Sequence, residues 1–99
     1  MAEPLSNEQV QQALNDLPGW HHEDDKLKTT IKFDNFKEAV SFIVRMAFHA
    51  EQMQHHPDLT NSFNRVDIAI TSHDSGSKVT EKDIELARAI HKFCWREEQ

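Results

Sequence analysis

The chain has little cysteine, little glycine, no tyrosine and no excess of cations. One cysteine, Cys94, in 99 residues rules out an internal disulfide and points to a reducing compartment. Two glycines, Gly19 and Gly76, do not make a phosphate-cradling loop. Eleven Lys and Arg against seventeen Asp and Glu leave a formal net charge of −6. That is the wrong sign for a chain that tracks nucleic-acid phosphates or adheres to an anionic membrane. No apolar run approaches the ~20 residues of a membrane span. The opening MAEPLSNEQV has neither the basic nor the apolar segment of a signal peptide. The expectation is a cytoplasmic protein, with a nuclear site open, built as one domain over residues 1–99. With 28% charged and 37% hydrophobic residues the composition is globular, and a second subunit would enlarge its modest core.

Periodicity orders the elements. Ser6 with Gln9 is a capping box, followed at helical spacing by Val10, Ala13, Leu14 and Leu17 up to Pro18-Gly19. Trp20 starts a short strand. Glu23 to Lys26 make a hairpin turn without the Asn-Gly signature, and Leu27, Thr29, Ile31 and Phe33 then alternate with polar residues. Asn35 and Glu38 predict a second capping box, opening a helix through Phe36, Ala39, Val40, Ile43, Met46, Ala47, Ala50 and Met53. Pro57 requires that helix to end by about His55. Alternation about Val66, Ile68 and Ile70 predicts a long strand over 62–72, a loop from His73 to Lys78 and a brief fourth strand at Val79. Thr80 with Asp83 caps a last helix bearing Ile84, Leu86, Ala87, Ile90, Phe93 and Cys94. The expected fold class is α+β, an antiparallel four-stranded sheet with three helices packed on one face. An uncovered sheet edge and the wide stripe of the last helix predict self-association.

Seven histidines are the chemical feature. His55 and His56 stand together before Pro57, and Glu51, four residues before His55, shares its helix face and would steady its ring. His73 opens a Gly- and Ser-containing loop, a common place for a functional side chain. Around one centre, such histidines could supply an acid and a base. A solvated pair at a helix end is the plain alternative. Glu51, His55, His56 and His73 are also competent metal ligands, yet HExxH and CxxC are absent and adjacent histidines diverge, so acid–base work is preferred over a metal. His21 and His22 read as structural or surface residues, His49 as too far from His56 once Pro57 ends the helix, and His91 as exposed or at an interface. Cys94 reads as a small hydrophobe, and the serines near His73 lack a nucleophile elbow.

Glu51, His55 to Asp58 (HHPD), Asn64 to Gly76 (NRVDIAITSHDSG) and Thr80 to Ala87 (TEKDIELA) together resemble the pterin-4a-carbinolamine dehydratase family. The stretches LPGW and FKEAVSFI are also in its character. The resemblance implies four antiparallel strands with three helices, a homodimer or homotetramer, and no metal or separate cofactor. It implies dehydration of 4a-hydroxytetrahydropterin to quinonoid dihydropterin in pterin recycling. His55 and His73 would be the acid–base pair, with His56 binding or polarising the pterin and Glu51 orienting His55. Pro57 and the backbone of Ser72, His73, Asp74 and Ser75 would line the pocket. Leu59 stands where the family commonly has an aromatic, Phe63 where it often has Tyr, and the loop from Asp74 to Val79 is slightly longer. Some animal members also serve a transcription factor as a dimerisation cofactor. A non-catalytic binding module of that kind is the alternative reading.

Overall fold

The computed structural model describes residues 3–94. Its elements are α1 (Asn7–Leu14), β1 (His21–Glu23), β2 (Lys26–Lys32), α2 (Phe36–Met53), β3 (Asp58–Ser62), β4 (Arg65–Ile70), a 3-10 turn (His73–Ser75) and α3 (Glu81–Phe93). The strands form one antiparallel sheet in the order β1-β2-β4-β3. The α+β class expected from the alternation of periodicities is therefore the observed one.

Local chemistry sets the element ends. Ser6 Oγ accepts the Gln9 N–H at 3.1 Å and Gln9 Oε1 accepts the Ser6 N–H at 2.8 Å, closing the capping box of α1. Asn35 Oδ1 accepts the Glu38 N–H at 2.8 Å, so α2 has an N-cap, but only half of the predicted box forms. The β1–β2 turn holds Asp24 and Asp25 at φ 56° and 60°. Aspartate tolerates this region, so the turn closes without Asn-Gly. A hydrogen bond from Lys28 Nζ to Asp24, at 3.2 Å, raises the pKa of the Lys28 ammonium above its ordinary value.

One sheet face is apolar and covered. Leu27, Thr29, Val66, Ile68 and Ile70 are buried there beneath Ala39, Phe42, Met46 and Ala50 of α2 and Ile84, Leu86, Ala87 and Ile90 of α3. Phe42, absent from the helical pattern drawn from sequence, is fully buried, with its ring centroid 5.1 Å from that of Phe33. Phe36, counted in that pattern, is 54% exposed.

Two strand assignments change. The long strand over 62–72 is instead a hairpin: β3 and β4 pair Ser62 with Arg65 around a two-residue turn in which Phe63 takes φ 52°. The fourth strand is β3, not a strand at Val79, where only a bridge between Ser72 and Lys78 forms. All five residues of β3 are exposed, so no buried face stamps an alternating pattern on Asp58–Ser62. β3 and the three-residue β1 are the two edge strands of the sheet. The stripe on α3, read as available to a partner, is buried within the subunit at Ile84, Leu86, Ala87 and Ile90, while the side chain of Phe93 lies outside the described residues. Among the described residues no helix is long and apolar enough to cross a membrane.

Phe42→Ala is expected to cost about 3–5 kcal/mol of stability, the range for an emptied aromatic core site. Urea unfolding measures it, and a loss below about 1 kcal/mol would contradict this packing account.

Candidate active site

Asp83 organises the site. It is fully buried at the third position of α3, where the helix dipole favours an anion. Its Oδ2 accepts the Thr80 N–H at 2.7 Å and the Ser72 hydroxyl at 2.8 Å. Its Oδ1 lies 2.6 Å from His55 Nε2. With Ser72 Oγ donating to Asp83, the 2.7 Å contact between Ser72 and Thr80 must run from the Thr80 hydroxyl to Ser72 Oγ, and Thr80 Oγ1 in turn accepts the Lys82 N–H at 3.2 Å. Every polar group in this ring is satisfied, as a buried network requires. Because Oδ1 is an acceptor, His55 carries its proton on Nε2, and Nδ1 is the nitrogen left for other chemistry.

The C-terminus of α2 aims His55 at this carboxylate. The His55 N–H bonds the Ala50 carbonyl at 3.1 Å and the Gln54 N–H bonds the Glu51 carbonyl at 3.1 Å. This is a Schellman cap with Gln54 in the left-handed region, φ 56° and ψ 40°. The reversal takes His55 off the helix face it was expected to share with Glu51. Glu51 Oε1 bonds His56 Nε2 instead, at 2.8 Å and in solvent. The expectation that Glu51 orients His55 is thereby corrected: Asp83 holds His55, and Glu51 holds His56.

His73 comes from the other region of the chain. After β4 the chain passes Thr71, whose hydroxyl donates to the Asp25 carbonyl at 3.0 Å, and Ser72, whose N–H donates to the Lys78 carbonyl at 3.0 Å. Between them the loop turns on the Ser75 and Ser77 N–H groups, both donating to the Ser72 carbonyl, with Gly76 at φ 76°. The exposed His73 has Nδ1 3.5 Å from Ser77 Oγ.

These pieces meet. Gln54, His55, His56, Thr71, His73, Asp74 and Lys82 line one cavity of about 240 Å³. Of the residues expected at the site, His55, His56, His73 and Asp74 reach it. Ser72 does not line it but is buried beneath it, bonded to Asp83. Pro57 and Ser75 are half-buried nearby in sequence, outside the lining set. Gln54, Thr71, Lys82 and the partnership of Asp83 with His55 were missed. Thr80 and Asp83 were legible as a helix cap, but nothing in the spacing linked that cap to a histidine 28 positions earlier.

Three hollows are larger: about 290 Å³ against the open sheet face and about 400 Å³ beside Trp20 and Cys94, each lined by a single histidine, His21 or His91, and about 450 Å³ along α1, lined by none. Volume does not select the site; the convergence of three imidazoles and a buried carboxylate does. Among the described residues no group of three or more His, Cys, Asp or Glu is arranged to hold a metal.

Residues 3–93 match the family model described as pterin 4 alpha carbinolamine dehydratase. The chain belongs to this family. Relatives provisionally named pterin-4-alpha-carbinolamine dehydratase include one from Opitutus terrae, 47% identical over 92% of this chain and 94% of its own. Another, from Sulfolobus acidocaldarius, is 43% identical over 90% of this chain and 97% of its own. A crystal structure of a transcriptional coactivator/pterin dehydratase from Brucella melitensis superposes with a TM-score of 0.88 at 34% identity, covering 93% of this chain and 99% of that one. Membership of the dehydratase family thus accords with a cavity that is rich in titratable groups.

The Nε2–H tautomer of His55 is a direct consequence of the Asp83 contact. Long-range 1H–15N spectra are expected to show neutral His55 protonated at Nε2 in the parent protein and a mixture of tautomers in Asp83→Asn. A parent ring protonated at Nδ1 would contradict the assignment.

Proposed function

We propose that the chain dehydrates 4a-hydroxytetrahydropterin to quinonoid dihydropterin, as in pterin recycling, by histidine general acid–base catalysis. In this reaction the C4a–O bond breaks, a proton joins the leaving oxygen, the N5 proton departs and a C4a–N5 double bond forms. The products are quinonoid dihydropterin and water, with no change of oxidation level. One acid and one base suffice.

The observation that carries this reading is the meeting of His55, His56 and His73 at one cavity, with His55 held by buried Asp83. His55 Nδ1 acts as the base for the N5 proton, since Asp83 keeps the ring proton on Nε2. His73 delivers the proton to the departing hydroxyl. His56, held by Glu51, polarises the ring, and Asp74 and Lys82 form part of the rim. Ser72 and Asp83 are positioning residues. The cavity is smaller than the roughly 300–1,000 Å³ that enclose a drug-sized ligand, which suits a bicyclic ring entering with its side chain outside.

A second copy of the chain is the proposed macromolecular partner. Phe36, Val44 and Phe48 of α2 are 54%, 50% and 74% exposed, and with Val40 they recur every four residues on the face away from the core. Antiparallel, two-fold packing of two α2 helices about Val44 sets Val40 against Phe48 and Lys37 against Glu51 at both ends. A coactivator role, which the Brucella protein's description names for that protein, would use the same apolar face and is the second reading.

Both proposals have plain tests. His73→Ala, at an exposed position, is expected to fold normally and to lose about 10²–10⁴-fold in dehydration rate; parent-level turnover in His73→Ala and His55→Asn would remove the mechanism. In sedimentation the parent is expected as a dimer or larger, and Val44→Glu with Phe48→Glu as a monomer. A monomeric parent at tens of micromolar would contradict the interface.

A further inference from the structure

We propose that Gln54 is a specificity residue that reads the hydrogen-bond-donor edge of the pterin ring. This rests on the dehydratase reading of the same cavity and adds the recognition element that the imidazoles do not supply. Gln54 occupies the left-handed position of a Schellman cap, φ 56° and ψ 40°, which glycine fills at least cost. An L side chain there is strained, and strain kept at a cavity wall points to work done by the side chain.

The geometry says which atom does that work. Gln54 lines the cavity, and its Nε2 donates to the Glu51 carbonyl at 3.0 Å. That bond ties the amide to the end of α2 through one of its two N–H donors, and Oε1 accepts no hydrogen bond among the described residues, so Oε1 is the acceptor the side chain offers. An acceptor matches N–H groups. The pyrimidine edge of a pterin presents two of them, the 2-amino group and N3–H, whereas its 4-oxo group is itself an acceptor that Oε1 cannot bind. Gln54 therefore selects the 2-amino edge, and turns the opposite, C4a–N5 side of the ring toward the histidines.

The test uses the intact chain with 7,8-dihydrobiopterin and its 2-deamino analogue as probes, binding being followed by quenching of tryptophan fluorescence. The parent is expected to bind the amino compound about tenfold more tightly than the deamino one. Gln54→Gly is expected to melt no lower than the parent, because glycine suits the left-handed position, yet to lose that discrimination, binding both probes about equally. Gln54→Leu, which keeps the bulk and removes the acceptor, is expected to lose it as well. If the parent discriminates and both variants discriminate equally well, Gln54 is not the reader and the proposal falls while the dehydratase reading stands. If the parent binds neither probe, both fall together.

Discussion

A single buried carboxylate ties the site to the fold. Asp83 receives the Thr80 backbone N–H at the start of α3, the Ser72 hydroxyl just after β4 and the His55 ring just after α2. Three element ends, remote in sequence, converge on two oxygen atoms. Removing such a carboxylate strands several buried donors at once, and each buried donor left without a partner typically costs about 1–3 kcal/mol. The network that closes the tertiary structure at this end is therefore also the one that fixes the His55 imidazole, so stability and the proposed chemistry share the same atoms.

The layout around this anchor separates rigid from adaptable parts. His55 is almost entirely buried and fixed, while His56 and His73 are exposed and bonded to solvent-facing partners, Glu51 and Ser77. A locked ring with a defined tautomer suits proton abstraction from a fixed ring nitrogen. Exposed rings suit exchange of protons with water between turnovers. Gln54 lies between the two, strained in its backbone and tethered through its amide.

Much of this was legible in the chain, for physical reasons that can be named. The boxes at Ser6–Gln9 and Thr80–Asp83, the termination of α2 before Pro57 and the alternation in β2 and β4 are local signals, and local signals survive translation into sequence. The histidines at 55, 56 and 73 stood out because their positions are special: before a proline, and at the mouth of a loop. What failed was non-local or patternless. β3 is exposed on both faces, so its residues carry no alternation. The pairing of Glu51 changed from His55 to His56 because the left-handed turn at Gln54, which a non-glycine residue does not announce, rotates the chain off the helical register. Asp83 looked like a cap alone, since only the tertiary structure brings His55 to it. The apolar face first sought on α3 is buried, and the exposed one lies on α2, a difference that depends on which side of each helix meets the sheet.

The most direct test is stopped-flow dehydration of chemically prepared 4a-hydroxytetrahydropterin by the parent protein, set beside Asp83→Asn shown by circular dichroism to be folded. The account predicts marked acceleration over the spontaneous reaction by the parent and loss of most of it in the variant, whose His55 is no longer held as the Nε2–H tautomer. No acceleration by the parent, or equal acceleration by the two proteins, would contradict it.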